Sequence, residues 1–215
     1  MKNTPNYSMT KKNKYLLASL ILVITIGFGV KASQTYTNSN AEDSSISADE
    51  SGMVSMVGTG LDSTFRNLAQ SIKIEENMAK IERMADYAAK FLGTRYRYGS
   101  TGPKTFDCSG FIGYIFKKEG INLPRTSRMQ YSEGEKVSRK DVRPGDLLFF
   151  SSPRSGKGKV GHVAMVVDVN ERDNSLTFIH ASSSKGVSYQ KFPDGGYYSR
   201  HYIGAKRIIS DAPTA

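Results

Sequence analysis

The sequence has few of the side chains that bind metals or form covalent cross-links. Its 215 residues include one cysteine, Cys108, and three histidines, His162, His180 and His201. A single cysteine excludes an intrachain disulfide and a zinc site built on four thiolates. No His-Glu-x-x-His motif and no pair of histidines at metal-ligand spacing occur, so we expect no metal and no other cofactor. These four side chains are therefore the first candidates for chemistry.

Acidic residues are scarce relative to basic ones. Asp and Glu number 20 against 30 Lys and Arg, and residues 61–215 alone hold 25 basic and 16 acidic side chains. This surplus fits either a solvated basic surface or binding to an anionic polymer of the cell envelope. No recognised nucleic-acid motif is present, so we expect no nucleic acid as a partner. With 38% hydrophobic and 23% charged residues, the composition argues against a polytopic membrane protein and a fully disordered chain.

The first 32 residues are typical of an export signal. A basic start precedes a 16-residue apolar run without charge at residues 15–30, and Val30-Lys31-Ala32 offers a cleavage site after Ala32. An uncleaved membrane anchor is the alternative, because spanning a bilayer takes about 20 apolar residues. No cysteine lies nearby, which excludes a lipoprotein. The sequence thus predicts an exported protein of the cell envelope, periplasmic or secreted, with residues 1–32 as signal peptide or N-terminal anchor.

After the apolar run, the composition changes twice. Residues 33–60 contain four acids and no Lys or Arg, and we expect a disordered polar linker there. Residues 61–80 are predicted as a helical lead-in and residues 81–212 as the main folded domain. Caps and helical spacing predict helices over 62–74, 75–92, 108–119 and 126–131, and apolar runs predict strands over 146–150, 162–168, 176–181, 187–192 and 203–209. This order indicates an α+β fold with N-terminal helices packed on a mainly antiparallel sheet of five to six strands.

Cys108 stands where a nucleophile is favoured. Asp107 is a predicted N-cap, so Cys108 begins a helix at the end where free N–H groups and the positive end of the dipole lie. Both favour the nucleophilic thiolate, and the same N–H groups can hold an oxyanion. The alternative for Cys108 is a small buried hydrophobic residue. Asp107 also has two interpretations, a helix cap or a carboxylate that pairs with an amine of the substrate.

Two histidines lie in consecutive predicted strands. His162 begins one strand and His180 lies in the next, with a hairpin turn between them. In an antiparallel pair the two rings can lie side by side, one as proton acceptor and the other fixing its tautomer. Each histidine alone is more typical of a structural role, but together with Cys108 they favour nucleophilic catalysis. Tyr96, in the loop before the cysteine, either packs in the core or lines the substrate cleft.

Six segments carry a resemblance to a known family. They are Tyr-x-Tyr-Gly from Tyr96, Phe-Asp-Cys-Ser-Gly-Phe around Cys108, Leu-Pro-Arg-Thr-Ser from Leu123, Pro-Gly-Asp-Leu-Leu-Phe-Phe from Pro144, Gly-His-Val-Ala-Met-Val-Val from Gly161 and Phe-Ile-His-Ala-Ser from Phe178. Together they resemble the NlpC/P60 family of papain-like cell-wall peptidases, over about residues 80–209. The Asp-Cys-Ser-Gly and Gly-His-Val segments in this order are specific.

The resemblance implies a papain-like NlpC/P60 fold and a cysteine endopeptidase. The nucleophile, the general base and the residue that orients the base fall on Cys108, His162 and His180. The residues implied to contact the substrate are Tyr96, Asp107 and Ser109. The implied reaction is hydrolysis of amide bonds in peptidoglycan stem peptides through a thioester, without a metal. The typical bond joins γ-D-glutamate to a diamino acid.

Three other functions stay open. They are an amidase that cuts between muramic acid and L-alanine, a crosslink endopeptidase of the same fold, and an inactive wall-binding module. The intact set of cysteine and histidines argues against the inactive module, and the order Cys before His argues against the permuted acyltransferase branch. We expect a monomer whose partner is the stem peptide of peptidoglycan, with membrane anchoring through residues 15–30 if that segment is retained.

Overall fold

The computed structural model describes residues 50–170 and 172–211. The predicted signal or anchor at residues 1–32 lies outside the described residues, as does most of the predicted linker. Within the described part of the chain, no helix combines the length and the apolar content needed to cross a membrane. Apart from Glu50, the described elements belong to one unit, Ser51–Ala215.

Helix α1 is one continuous helix over Glu50–Ala89, 40 residues long. The sequence predicts two helices that meet at Glu75 and a disordered linker up to residue 60, so both predictions differ from the structure. No proline interrupts this segment, so nothing in its backbone forces the helix to end at residue 74. The last turns of α1 pack on the domain through Met84 and Ala88, which are buried. The chain turns away at Gly93, whose φ of +81° favours glycine.

Helix α2, Cys108–Lys118, begins where the sequence predicts. The Asp107 carboxylate caps it by accepting a hydrogen bond from the Gly110 N–H at 2.7 Å. Position 110 requires glycine, because a Cβ there would lie 2.2 Å from the carbonyl oxygen of Ser100. Four apolar side chains of α2 are fully buried in the core that it shares with the sheet: Phe111, Ile112, Ile115 and Phe116. The start of α2 is thus packed closely against the loop that precedes it.

Helix α3, Ser127–Gln130, is a single turn capped by Thr126, whose Oγ1 accepts a hydrogen bond from the Met129 N–H at 3.3 Å. Gln130 is fully buried and donates hydrogen bonds to the carbonyl oxygens of Ser109 at 3.1 Å and Pro124 at 2.9 Å. These bonds fix α3 and the segment before it over the N-terminus of α2.

The described strands form one antiparallel sheet in the order β1-β6-β2-β3-β4-β5. They are β1 Glu135–Val137, β2 Leu147–Ser151, β3 Val160–Asn170, β4 Ser175–Ser182, β5 Gly186–Phe192 and β6 Tyr202–Arg207. A 3₁₀ helix, Arg139–Asp141, follows β1, and helix α4, Tyr197–His201, precedes β6. The predicted α+β fold is confirmed. The sequence does not predict β1, because three residues with one buried side chain carry no periodic signal.

The sheet buries both of its faces. Phe149 and Met165 lie on the face that packs beneath α1 and α2, and Phe150 and Phe178 lie on the opposite face. Strand β2 is therefore an uninterrupted apolar run rather than an alternating one. The two candidate histidines project from the second face, one beside Phe150 and the other beside Phe178.

Candidate active site

One open cleft of about 1150 Å³ contains every residue to which the sequence analysis assigns a site role. These residues are Tyr96, Asp107, Cys108, Ser109, His162 and His180. The third histidine, His201, does not line the cleft and stacks on the ring of Tyr197 at 4.1 Å. Among the described residues, no group of three or more His, Cys, Asp and Glu side chains is placed to hold a metal ion.

Cys108 lies in the first turn of α2 and is 7% exposed. The backbone N–H groups of Val163 and Ser109 donate hydrogen bonds to its sulfur, and these bonds lower its pKa. Burial acts in the opposite direction and is larger, and the Asp107 charge adds to it, so the pKa of the Cys108 thiol is raised above its ordinary value. The lowered pKa expected from the sequence is therefore wrong. The resting thiol is protonated at neutral pH and needs a base to remove its proton.

His162 and His180 are hydrogen-bonded to each other, with His162 Nε2 and His180 Nδ1 2.8 Å apart. The β3–β4 hairpin creates this contact, because its register pairs Met165 with Ile179 and so puts both histidines on one face. The side-by-side arrangement predicted from the sequence is confirmed. When His162 Nε2 carries the shared proton, its Nδ1 keeps the lone pair that a proton acceptor requires.

Both histidine rings are neutral at pH 7. The groups packed around His162 lower its pKa to about 4 by burial, although the ring also borders the cleft. Burial lowers the pKa of His180 to about 2, and repulsion from His162 once that ring is protonated, followed by repulsion from Lys185, adds to the effect. His180 is 2% exposed, so it contacts His162 from inside the protein.

Tyr198 in α4 completes the surroundings of the histidines, and sequence reasoning missed it. Its hydroxyl is 3.4 Å from His180 Nδ1, and the two rings are 5.3 Å apart. Burial raises the pKa of Tyr198 to about 12, so the hydroxyl stays protonated. The Asp194 carboxylate orders the preceding turn by accepting hydrogen bonds from the N–H groups of Tyr198 at 3.2 Å and Ser199 at 2.9 Å. No motif marks Tyr198, because only the path of the chain between β5 and β6 brings it to β4.

Asp107 is 5% exposed, and its carboxylate is surrounded by hydrogen-bond donors of the protein. Besides capping α2, it accepts hydrogen bonds from the Gly99 N–H at 2.9 Å and from the Arg125 guanidinium at 2.6 and 3.1 Å. Ser109 Oγ joins this group, 3.3 Å from Asp107 Oδ1 and 3.1 Å from Arg125 Nη1. Of the two interpretations of Asp107, the structure supports the helix cap, and the cation paired with its carboxylate is the Arg125 guanidinium.

Arg125 is the second residue that sequence reasoning missed. It belongs to the Leu-Pro-Arg-Thr-Ser segment that carries the family resemblance, and that segment was the available signal. Its side chain is 42% exposed and lines the cleft, so it can pair with Asp107 and still meet a ligand.

Tyr96 and Tyr98, from the loop before α2, also line the cleft. Tyr96 packs partly against the core and also borders the cleft, so both of its interpretations hold. Burial, together with the nearby Cys108 and Asp107, raises the pKa of Tyr96. Tyr98 is 70% exposed, and the guanidinium of Arg154 lies 4.4 Å from the centre of its ring.

Several known proteins are similar to this chain in sequence. The NlpC/P60 family profile matches residues 93–207. The gamma-DL-glutamyl hydrolase of Bacillus subtilis is 36% identical over 144 residues, which cover 66% of this chain and 33% of that protein. The murein DD-endopeptidase MepS/murein LD-carboxypeptidase of Escherichia coli is 28% identical over 200 residues, 92% of this chain and 95% of that protein. The chain thus spans about a third of the first relative and nearly all of the second.

Solved structures share its fold. An NlpC/P60 family protein from Bacillus cereus is 33% identical, with a TM-score of 0.54 over 60% of this chain and 40% of that one. The peptidoglycan hydrolase RipB from Mycobacterium tuberculosis is 25% identical, with a TM-score of 0.50 over 63% of this chain and 68% of that one. The family match covers more than half of this chain and includes Cys108, His162 and His180. This chain therefore belongs to the NlpC/P60 family.

Proposed function

We propose that this chain is a cysteine endopeptidase that hydrolyses amide bonds in the stem peptides of peptidoglycan. The observation that carries the proposal is the hydrogen-bonded pair His162–His180, in one cleft with a cysteine at a helix N-terminus. The names of the relatives, a glutamyl hydrolase and a murein endopeptidase, support the substrate class. Peptidoglycan lies outside the cytoplasmic membrane, so we propose that the domain acts there, as the predicted export signal also suggests.

In the proposed reaction, Cys108 Sγ attacks the carbonyl carbon of the scissile amide while His162 accepts the thiol proton. The resting groups are a neutral thiol and a neutral imidazole, since burial raises the pKa of the first and lowers that of the second, so the proton moves to His162 as the sulfur attacks and not before. His162 then gives the proton to the leaving amine, and the C–N bond breaks to leave a thioester. His162 then takes a proton from a water molecule that attacks the thioester; the C–S bond breaks to release the carboxylic acid product, and the proton on His162 returns to the sulfur. His180 orients His162 throughout.

The bond that we favour joins γ-D-glutamate to the diamino acid. Its support is the similarity to the gamma-DL-glutamyl hydrolase, which covers a third of that protein. We assign Tyr96 to the part of the stem on the acyl side, because it borders the cleft near the nucleophile. Asp107 and Ser109 act through Arg125, which they hold at the cleft, rather than by binding a substrate amine themselves.

A crosslink endopeptidase is the second candidate. The similarity to the murein DD-endopeptidase favours it, because that match extends over 95% of the relative's length. Both candidates would use the same nucleophile and base and would differ in the bond that enters the cleft. Product analysis therefore separates them where variants of the catalytic residues cannot.

Digestion of defined peptides by the full chain tests the bond. From the tetrapeptide L-Ala-γ-D-Glu-diaminopimelate-D-Ala we expect L-Ala-D-Glu, detected by mass spectrometry. If a crosslinked dimer is cut while this tetrapeptide stays intact, the second candidate is correct. Release of a whole stem peptide from a muramyl peptide would instead identify an amidase.

Variants test the residues. Cys108→Ala and His162→Ala should each lower turnover by several powers of ten, and His180→Ala should cost less because it transfers no proton. His201→Ala is the matched control, since His201 lies outside the cleft and contacts the carbonyl oxygen of Tyr197. Near-normal turnover in Cys108→Ala would exclude cysteine catalysis. A wild-type chain that cuts no peptide and whose Cys108 resists iodoacetamide would be the inactive module.

A further inference from the structure

The cleft is lined by four cations, and three of them have no acidic partner among the described residues. Its four basic side chains come from the α2–α3 segment, α3, the β2–β3 loop and the β4–β5 turn: Arg125, Arg128, Arg154 and Lys185. Among the described residues that line it there is one carboxylate, Asp107, which is already paired with Arg125. Between residues 63 and 211, as far as the structure describes them, no carboxylate forms an ion pair with the other three cations. The cleft thus carries three uncompensated positive charges.

Two of these charges act on groups at the catalytic centre. The Lys185 ammonium contributes to the lowered pKa of His180, and the Arg154 guanidinium opposes the rise in the pKa of Tyr96. Coulomb interactions of this kind weaken quickly with distance in a solvated cleft. Arg154 and Lys185 also line the same cleft as Tyr96 and His180, so both can interact with a substrate bound there.

The loop that carries Arg154 is ordered and is packed beside the general base. Ser155 Oγ accepts a hydrogen bond from the Ser152 N–H at 2.9 Å and donates one to the carbonyl oxygen of Lys159 at 2.7 Å. A Cβ at Gly161 would lie 2.2 Å from Ser152 Oγ, so this loop contacts the residue directly before His162. The position of Arg154 relative to the base is thus set by the fold.

We propose that Arg128, Arg154 and Lys185 bind free carboxylates of the stem peptide, and that the chain therefore selects stems in which these carboxylates are not amidated. The inference rests on the proposed function and deepens its substrate class. A γ-glutamyl amide leaves the α-carboxylate of the same residue free beside the scissile bond, and diaminopimelate adds a carboxylate on the leaving side. A cleft lined by one sign of charge attracts ligands of the other sign.

The test compares two tetrapeptides that differ only at the α-carboxyl of glutamate, which is free in one and amidated in the other. Binding is measured by isothermal titration calorimetry with full-length Cys108→Ala, which cannot cleave either peptide. We expect the amidated peptide to bind about fivefold more weakly, the upper range for a partly exposed ion pair. The ratio should shrink as the salt concentration rises, because ions screen the interaction.

Variants in the same background assign the effect to the cations. Arg154→Gln and Lys185→Gln should each bring the ratio closer to one, whereas Arg154→Lys keeps the charge and should keep most of the discrimination. Lys140→Gln is the matched control, because Lys140 lies in the 3₁₀ helix and does not line the cleft. A ratio that falls equally in Lys140→Gln would show a general charge effect and would overturn the assignment to the cleft.

The wild-type chain separates failure of this inference from failure of the proposed function. Equal binding together with equal kcat/KM for the two peptides overturns the carboxylate selection and leaves the peptidase intact. Cleavage of neither peptide, with no binding of either, overturns the proposed function and this inference with it.

Discussion

Replacing Asp107 by Asn tests how the start of α2 is held. The substitution keeps the size of the side chain, removes its charge and turns one acceptor oxygen into an NH₂ donor. In the wild type, Asp107 Oδ1 accepts from the Gly110 N–H and Oδ2 from the Gly99 N–H, while Arg125 approaches both oxygens. Whichever way the new amide is turned, one of these two N–H groups faces another donor.

The expected loss of stability has two parts. One backbone hydrogen bond is lost, either the cap at Gly110 or the bond from Gly99, at about 1 kcal/mol. The ion pair with Arg125 is lost as well, and it contributes about 1 kcal/mol or less because the Arg125 side chain is 42% exposed. We therefore expect Asp107→Asn to lower the free energy of unfolding by about 2 kcal/mol, and the melting temperature by about 4–8 °C.

Urea unfolding followed by circular dichroism measures this change. A double-mutant cycle with Arg125→Gln should show that the double variant loses less than the sum of the single variants, since the two residues share one interaction. Asp86→Asn, on the exposed side of α1, removes the same charge without a cap and serves as the control. A loss well under 1 kcal/mol, together with a raised KM for peptides that carry a free amine, would show that Asp107 faces the substrate and would refute this assignment.

Acidification should destabilise the domain. The pKa values of about 4 for His162 and about 2 for His180 lie below the unfolded value of 6.5, so the unfolded state binds more protons than the folded state at mildly acidic pH. The melting temperature should fall as the pH drops from 6.5 towards 4, and less steeply in His180→Asn; a flat profile would contradict neutral buried rings. Gly161→Ala should lower kcat about tenfold or more in the tetrapeptide assay, since the new Cβ would lie 2.2 and 2.4 Å from two serine hydroxyls of the β2–β3 loop. Gly113→Ala is the control and should be tolerated, because its Cβ would lie 3.9 Å from its nearest neighbour. Tyr198→Phe should lower kcat about three- to tenfold with little change in melting temperature, because the lost hydrogen bond is a long one; a loss as large as that of His162→Ala would mean that Tyr198 transfers a proton.

The elements around the site could be predicted from the sequence because local rules dominate there. The cap at Asp107, the start of α2 at Cys108 and the strands on either side of the hairpin follow from side-chain capping and apolar periodicity. The strand predicted over 162–168 runs over 160–170 in the structure, so the error lies only at its ends.

Prediction failed where the deciding contacts were distant. Strand β1 exists because β6 pairs with it, and nothing within its three residues indicates this. The boundary predicted at Glu75 was wrong, because no proline or other helix-ending residue stands there and the helix continues to Ala89. The pKa of Cys108 moved in the unexpected direction because the depth of burial is set by the sheet and not by the helix that the cysteine begins.

The sequence by itself determined which chemical groups are available and in what order: one thiol at the start of a capped helix and two imidazoles on successive strands. Capping and periodicity act between residues a few positions apart, so they can be read along the chain. Only the tertiary structure decided what each group touches. Hydrogen bonds and desolvation act over a few ångströms, between segments that the fold brings together. They determine the contact of His162 with His180, the pairing of Asp107 with Arg125 and the protonation state of Cys108.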